Sequence, residues 1–162
     1  MRIYLAHHGK AKSREEDPSR PLTPEGVEET TDMIALLSKI DLSISHILHS
    51  GKARAQETAD ILVQGIQHTP IIEAIEGLAP SDDPQPLADR LSKSSDDVMI
   101  VGHLPHLQRL VSLLLTEETE HHPVTFQNSG VVCIERNNDF SWSLRWAITP
   151  QLAGQSLVSP DV

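Results

Sequence analysis

The sequence predicts an α/β fold, namely a three-layer α/β/α sandwich with a mostly parallel central sheet and an antiparallel C-terminal hairpin. Short apolar runs at residues 3–6, 98–101 and 131–134 are typical of strands buried on both faces. Helical patterns lie between the strands, and such alternation favours a parallel, layered sheet. The turn-like tripeptide 137–139 separates two strand-like segments, which indicates a hairpin over about residues 130–148.

The helices have recognisable starts and apolar faces. Thr23, Pro24 and Glu25 are typical of a helix start, with a capping hydroxyl, a proline in the first turn and an early acid. Weaker strand patterns lie at residues 45–48 and 70–75. Three apolar stripes at helical spacing are predicted to face the core: Val27, Ile34, Leu37 and Ile40; Ala55, Thr58, Ala59 and Leu62; and Leu107, Leu110, Val111 and Leu114.

Length and composition limit the classes of protein. The chain has 162 residues, which predicts one domain over residues 1–148, followed by an irregular tail over 149–162. The net charge of −10 argues against nonspecific nucleic-acid binding. A lone cysteine, Cys133, together with the lack of a signal peptide or a membrane-length apolar run, predicts a cytoplasmic protein without membrane contact. We expect a monomer, since no coiled-coil pattern demands assembly.

Three short segments follow predicted strands. They are His7-His8-Gly9, residues 50–54 and residues 102–105. In an open parallel sheet, ligands bind beyond the carboxyl ends of the strands, so these segments are expected to meet at one edge. Two of them lead into helix starts, which favour an anion.

The residue types in these segments suit a phosphate. Gly9 allows close approach of the backbone, and the Arg54 guanidinium matches phosphate oxygens. A neutral imidazole can attack phosphorus, and a second one can donate a hydrogen bond. We therefore expect phosphoryl-transfer chemistry without a cofactor. No metal site is expected either, because the sequence lacks a His-Glu-x-x-His motif or a cysteine pair. Six other histidines are assigned to surface or structural positions: His46, His49, His68, His106, His121 and His122.

The order of the motifs resembles that of the histidine phosphatase, or phosphoglycerate-mutase-like, superfamily, and most of all its small SixA-type phosphohistidine phosphatases. That family carries Arg-His-Gly after the first strand, where this chain has residues 7–9. Its Arg-Pro-Leu-Thr segment is matched by residues 20–23, and its Ser-Pro-x-x-Arg-Ala-x-x-Thr-Ala segment by residues 50–59, with Gly51 in place of proline. Its later Gly-His or Ser-His is matched by Gly102-His103. The resemblance covers roughly residues 1–148.

The resemblance implies a role for each matched residue. His8 is the nucleophile that becomes phosphorylated, and Arg54 and His103 hold the phosphoryl group as further catalytic residues. Arg20 is an additional phosphate contact. Larger members supply a carboxylic acid from an insertion that this chain lacks, so Glu76, Asp82 and Asp83 stay open as candidate general acids. The implied substrate is phosphohistidine in a partner protein such as a phosphotransfer domain, whose imidazole leaving group needs less help from an acid.

One position departs from the family pattern, because His7 stands where the family has arginine before the nucleophile. Imidazole offers fewer hydrogen bonds and only a partial charge near neutral pH. We expect activity to rise as the pH falls below neutral and His7 becomes charged. Two alternatives stay open: a phosphatase of small phosphate esters within the same superfamily, and a phosphate-binding module that has lost catalysis.

Overall fold

A six-stranded mixed sheet forms the centre of the protein, whose computed structural model describes residues 1–154. The strands are β1 (Arg2–His7), β2 (His46–His49), β3 (Ile71–Ala74), β4 (Val98–Gly102), β5 (Val131–Arg136) and β6 (Trp142–Ile148). Their order in the sheet is β3-β2-β4-β1-β5-β6. The first four strands in that order are parallel, whereas β5 runs antiparallel to both β1 and β6. The predicted mostly parallel sheet with its C-terminal hairpin is confirmed.

Helices cover both faces of the sheet. They are α1 (Pro24–Leu37), α2 (Ala53–Leu62), α3 (Gln85–Lys93), α4 (His106–Thr116) and the short α5 (Pro150–Ala153). Alternate residues of β1 point into two different cores, as the pleat requires. Ile3 and Leu5 pack with α3 and α4, while Tyr4 and Ala6 pack with α1 and α2. The three-layer arrangement and the apolar stripes predicted for α2 and α4 are therefore confirmed.

The buried face of α1 differs from the predicted stripe. The helix start is correct, since the Thr23 hydroxyl accepts a hydrogen bond from the Gly26 N–H at 3.0 Å. However, Val27 is 42% exposed, and Ile34 and Ile40 are only partly buried, so of the predicted stripe only Leu37 lies in the core. The buried residues of the helix are Gly26, Thr30, Met33 and Leu37. The helix turns this face inward because Gly26 packs against the Lys10 backbone, a contact that hydrophobicity alone does not predict.

A side chain at Gly26 is expected to destabilise the fold. A Cβ there would lie 2.2 Å from the Lys10 carbonyl oxygen, which belongs to the segment just after the strand end of β1. Alanine favours a helix over glycine by about 1 kcal/mol. We expect the clash to outweigh this gain, so that Gly26→Ala lowers the free energy of unfolding by about 1–3 kcal/mol.

Urea unfolding would measure this effect, with Thr31→Ala on the exposed face of the same helix as the control. The control is expected to change stability by only a few tenths of a kcal/mol, or about 0.5 at most. An unchanged or higher stability of Gly26→Ala would show that the contact between Gly26 and Lys10 is not tight in solution.

Within residues 149–154, one regular element follows the hairpin. The predicted irregular tail, 149–162, begins with α5, which packs against α1. Residues 155–162 of that tail lie outside the described residues, and the domain boundary at 148 stays a prediction. Cys133 is buried in β5. Within residues 1–154, none of the helices has the length and apolar character needed to span a membrane.

Candidate active site

The three segments singled out in the sequence meet at the carboxyl edge of the parallel strands. His7 pairs with Gly102 across β1 and β4, and the His8 N–H donates to the Gly102 carbonyl at 3.2 Å. His49, at the end of β2, pairs with Val101 of β4, so residues 50–54 leave the sheet beside them. The predicted convergence is confirmed.

The His8 imidazole is held in one tautomer. Its Nδ1 lies 2.7 Å from the Gly9 carbonyl oxygen. A carbonyl oxygen can only accept, so Nδ1 carries the proton and Nε2 keeps its lone pair. The Arg54 Nε–H donates to that lone pair across 3.2 Å. His8 therefore presents an unprotonated Nε2 beside a guanidinium group.

Two polar side chains hold the backbone around His8. The Thr58 hydroxyl, fully buried on α2, accepts from the Gly9 N–H at 2.9 Å and donates to the Arg54 carbonyl at 2.7 Å. The Asn128 amide donates to the His8 carbonyl at 2.9 Å. Sequence analysis placed Thr58 in an apolar stripe and in the motif matched by residues 50–59, but it did not anticipate the contacts of the hydroxyl with Gly9 and Arg54. Asn128 was missed, because the turn composition of residues 128–130 does not indicate what the turn contacts.

Two arginines bring positive charge to this edge. Arg54 lies in the first turn of α2 and is 8% exposed. Burial lowers its pKa, and the charge of Arg20 lowers it further. Arg20 has a left-handed backbone with φ 52° and donates from Nε to the Lys12 carbonyl at 3.1 Å. Neither arginine forms an ion pair with an acid among residues 1–154, so both charges remain available to an anion.

His103 lies on the other side of the His8 ring. The two ring centroids are 4.9 Å apart, and His103 is 1% exposed. Its Nε2 lies 2.5 Å from the Ser50 hydroxyl oxygen, and this bond fixes the ring. Ser50 belongs to the motif matched in the sequence, but its contact with His103 was not anticipated.

His7 packs against His8 with 4.5 Å between the ring centroids, and its buried Nδ1 has no hydrogen-bond partner among the described residues. Burial lowers the pKa of His7 to about 4, and the charge of Arg54 adds to this effect, while a backbone group of Gln127 opposes it. Burial likewise lowers the pKa of His8 and of His103 to about 3. The expectation that His7 becomes charged just below neutral pH is therefore wrong for the empty site, because the ring is desolvated and faces a cation.

The three candidate acids differ in their contacts. Asp82 accepts from the Ala79 N–H at 2.8 Å, and Asp83 from the Gln85 N–H at 3.0 Å, so both carboxylates hold the backbone before and at the start of α3. Glu76 follows β3, is exposed, and has no hydrogen-bond or ion-pair partner in the part of the chain that the structure describes. Of the three, Glu76 is the carboxylate that is not already engaged.

The remaining histidines lie outside the cluster formed by His7, His8 and His103. His49 is buried and accepts from the Gly51 N–H at 3.1 Å, and His106 is fully buried at the start of α4. The other four are partly or fully exposed: His46, His68, His121 and His122. Among residues 1–154, no group of three or more His, Cys, Asp or Glu side chains is arranged to hold a metal ion.

The low pKa values predict a loss of stability in mild acid. Unfolded histidines have a pKa near 6.5, so below that value the unfolded chain binds more protons than the folded one. The stability that depends on these neutral rings is therefore fully present above about pH 6.5. It is lost as the pH falls toward the pKa values of the folded state, which are about 3 to 4. At pH 5, each of His7, His8 and His103 is expected to lower the free energy of unfolding by about 2 kcal/mol relative to pH 7.

Urea unfolding at pH 7 and pH 5 measures this loss. His103→Gln should make the dependence on pH shallower, whereas His68→Gln, at an exposed position, should leave it unchanged. A free energy of unfolding that is the same at pH 5 and pH 7 in the native chain would contradict the burial of these rings.

Comparison with known proteins gives two related sequences and a close structural neighbour. No protein-family model matches the chain. An uncharacterized protein of Picosynechococcus sp. is 30% identical over 139 residues, covering 82% of this chain and 83% of that protein. The phosphohistidine phosphatase SixA of Escherichia coli is 24% identical over 155 residues, covering 93% of this chain and 94% of that one.

Comparison with solved structures points to the same proteins as comparison of sequences. The structure of the protein histidine phosphatase SixA complexed with tungstate superposes with a TM-score of 0.81 at 24% identity, covering 93% of this chain and 98% of that one. The ordered motifs, the sheet order and these similarities agree over most of the chain. The chain has the fold of the histidine phosphatase SixA and is similar to it in sequence over most of its length.

Proposed function

We propose that the protein is a phosphatase that removes the phosphoryl group from phosphohistidine in a partner protein, through a phosphorylated His8. The observation that carries the proposal is the His8 ring, whose Nδ1–H is bound by the Gly9 carbonyl and whose unprotonated Nε2 lies beside Arg54, from which it accepts a hydrogen bond in the empty site. The similarity to SixA phosphohistidine phosphatases supports this reaction class.

In the first step, a bond forms between His8 Nε2 and phosphorus while the bond from phosphorus to the substrate nitrogen breaks. The leaving imidazole takes up a proton from solvent. Arg54 is placed to stabilise the charge on the transferring group, since its Nε lies 3.2 Å from the attacking nitrogen. Arg20, His7, the Gly9 backbone and His103 complete the proposed phosphoryl site.

In the second step, water attacks the phosphorus of phospho-His8, and the bond to Nε2 breaks. The electron pair of that bond returns to Nε2, and the protons of the water leave with inorganic phosphate, which equilibrates with solvent. His8 returns to its starting tautomer because Nδ1 keeps its hydrogen bond to Gly9 throughout. The first step needs a neutral His8, and its lowered pKa of about 3 keeps the unphosphorylated ring neutral across the physiological range.

A phosphohistidine substrate accounts for the lack of a carboxyl group bound to His8 among residues 1–154. An imidazole leaving group, with an ordinary pKa near 6.5, departs with little help from a proton donor. The alternative, a phosphatase of small phosphate esters, would need such a donor for an alcohol. Glu76 is the one candidate that is exposed and not engaged with the backbone, and this observation is what favours the alternative. Monomeric state and a cytoplasmic location stay predictions.

One experiment separates these functions. The protein would be incubated with a phosphotransfer domain carrying radiolabelled phosphohistidine and, separately, with p-nitrophenyl phosphate. The proposal predicts rapid loss of label from the domain, and no dependence on Glu76 when it is replaced by Gln. Hydrolysis of the ester alone, abolished by Glu76→Gln, Asp82→Asn or Asp83→Asn, would instead identify an ester phosphatase.

The third possibility, a binding module without catalysis, is tested in the same assay with His7→Arg. If the native chain binds the phosphorylated domain without releasing phosphate, and His7→Arg restores release, the proposal fails. The exposed His68→Gln serves as the control for loss of an unrelated histidine.

A further inference from the structure

We propose that the anion site takes up a proton when it binds a phosphoryl dianion, and that His7 is the group that receives it. This inference rests on the proposed function, since it concerns the anion that the same site would bind. It makes His7 a ligand that is neutral in the empty protein and cationic in the complex.

Among residues 1–154, no carboxylate forms an ion pair or a hydrogen bond with the positive groups of the empty site. The side chains around His8 are His7, His103, Arg54 and Arg20, and the charges that act on the His7 ring come from Arg54. A protonated imidazole among these groups would be desolvated and repelled. The empty site therefore holds its histidines neutral, and the two arginines supply its fixed positive charge.

A bound dianion favours the protonated form of a neighbouring imidazole in this site. Two negative charges within a few ångströms favour the charged form of a neighbouring imidazole, and the partly buried site weakens screening by water. The proton comes from the buffer, so no other group of the protein has to give one up. The result is an additional N–H donor and an additional charge on the anion.

Among the three imidazoles, His7 is the best placed to accept this proton. Protonating His8 would place a proton on Nε2, where the Arg54 Nε–H already donates. His103 is almost fully buried, and its Nε2 is bound to Ser50. It is also acted on by four cationic or ionisable neighbours: His8, Arg54, Lys52 and His7.

His7 is less constrained. The Nδ1 atoms of His7 and His103 are both buried without a partner among the described residues, but only His103 is also bound by a side chain, that of Ser50. The His7 ring lies beside the nucleophile, with 4.5 Å between the ring centroids. A backbone group of Gln127 also favours its charged form, which is a feature that His103 lacks. The structure therefore points to His7 as the proton acceptor.

Isothermal titration calorimetry with sulfate tests the proposal. Sulfate keeps two charges across the working range, so any proton exchange belongs to the protein. The binding enthalpy is measured at pH 6 in buffers with different ionisation enthalpies, and the slope gives the protons taken up for each sulfate bound. We expect about half a proton or more in the native chain.

Two variants test whether His7 is the group that takes up the proton. His7→Gln keeps a hydrogen-bonding side chain without a titratable group, and it should bind sulfate more weakly and with most of the uptake lost. His7→Arg carries a permanent charge, so it should bind sulfate at least as tightly as the native chain and without uptake. Because both variants should lose proton uptake while only His7→Gln should weaken sulfate binding, a general folding defect cannot reproduce the pattern, and circular dichroism checks each fold.

Three results would overturn the inference. They are sulfate binding without proton uptake, unchanged uptake in His7→Gln, and absence of sulfate binding at millimolar concentration. The proposed function is tested separately by phosphate release from phosphohistidine. Phosphate release without proton uptake on sulfate binding would refute this inference alone. Proton uptake without any phosphorylation of His8 would refute the proposed function but leave the inference about His7 standing.

Discussion

Replacing His8 by Gln is expected to abolish covalent phosphorylation of the chain and to lower phosphatase turnover on the order of a thousandfold or more. The Gln side chain fills much of the same space, but its amide has no nucleophilic lone pair to present to phosphorus. Because the backbone N–H of Gly9 is bound by Thr58 and the His8 carbonyl by Asn128, the loop should keep its shape without the imidazole.

The control for this prediction is His68→Gln, which removes an exposed imidazole outside the site. It should retain native turnover and native labelling. Residual turnover of His8→Gln near the native rate, in a preparation free of contaminating phosphatase, would show that water attacks the substrate directly and that His8 is not the nucleophile.

Arg54→Gln is expected to lower turnover by about a hundredfold to a thousandfold, because it removes the guanidinium that contacts the attacking nitrogen. The effect on the rate of phosphorylation should exceed the effect on stability, since Arg54 has no ion-pair partner within residues 1–154 whose charge would be left buried. Arg54→Lys should recover only part of the rate, because an ammonium group cannot offer the planar fork of donors.

Arg90→Gln provides the matched control, since Arg90 is an exposed arginine in the last turn of α3. It should leave turnover within about twofold of native, which corresponds to a few tenths of a kcal/mol. Rapid-quench measurement of phospho-His8 formation separates the first step from hydrolysis. If Arg54→Gln slowed only hydrolysis, its proposed role during transfer to His8 would be wrong.

Much of the fold could be predicted because its signals are local. The buried strands have continuous apolar sequences, and the predicted hairpin turn at residues 137–139 separates β5 from β6. The face of α1 could not be predicted in the same way, since it depends on a glycine that admits the Lys10 backbone and on a hydrogen bond between Thr30 and Ser129. Helix α3 was not anticipated.

The candidate site also contains some residues that the sequence could predict and others that it could not. His8, Arg54 and His103 stand at strand ends and helix starts, so topology alone brings them to one edge. Asn128 reaches the site from a loop 120 residues away, and its contact with the His8 carbonyl has no signature in the sequence. The charge state of His7 depends on burial and on Arg54, neither of which can be inferred from the order of residues along the chain.

The most direct test is the position of phosphate on the His8 ring. The protein would be phosphorylated with phosphoramidate, quenched in base and digested, and the His8 peptide examined by phosphorus NMR, which distinguishes the two phosphohistidine isomers. The Gly9 carbonyl occupies Nδ1–H, so the phosphate is predicted on Nε2. Phosphate on Nδ1, on another histidine, or on no residue at all would contradict the assignment of His8 Nε2 as the nucleophile.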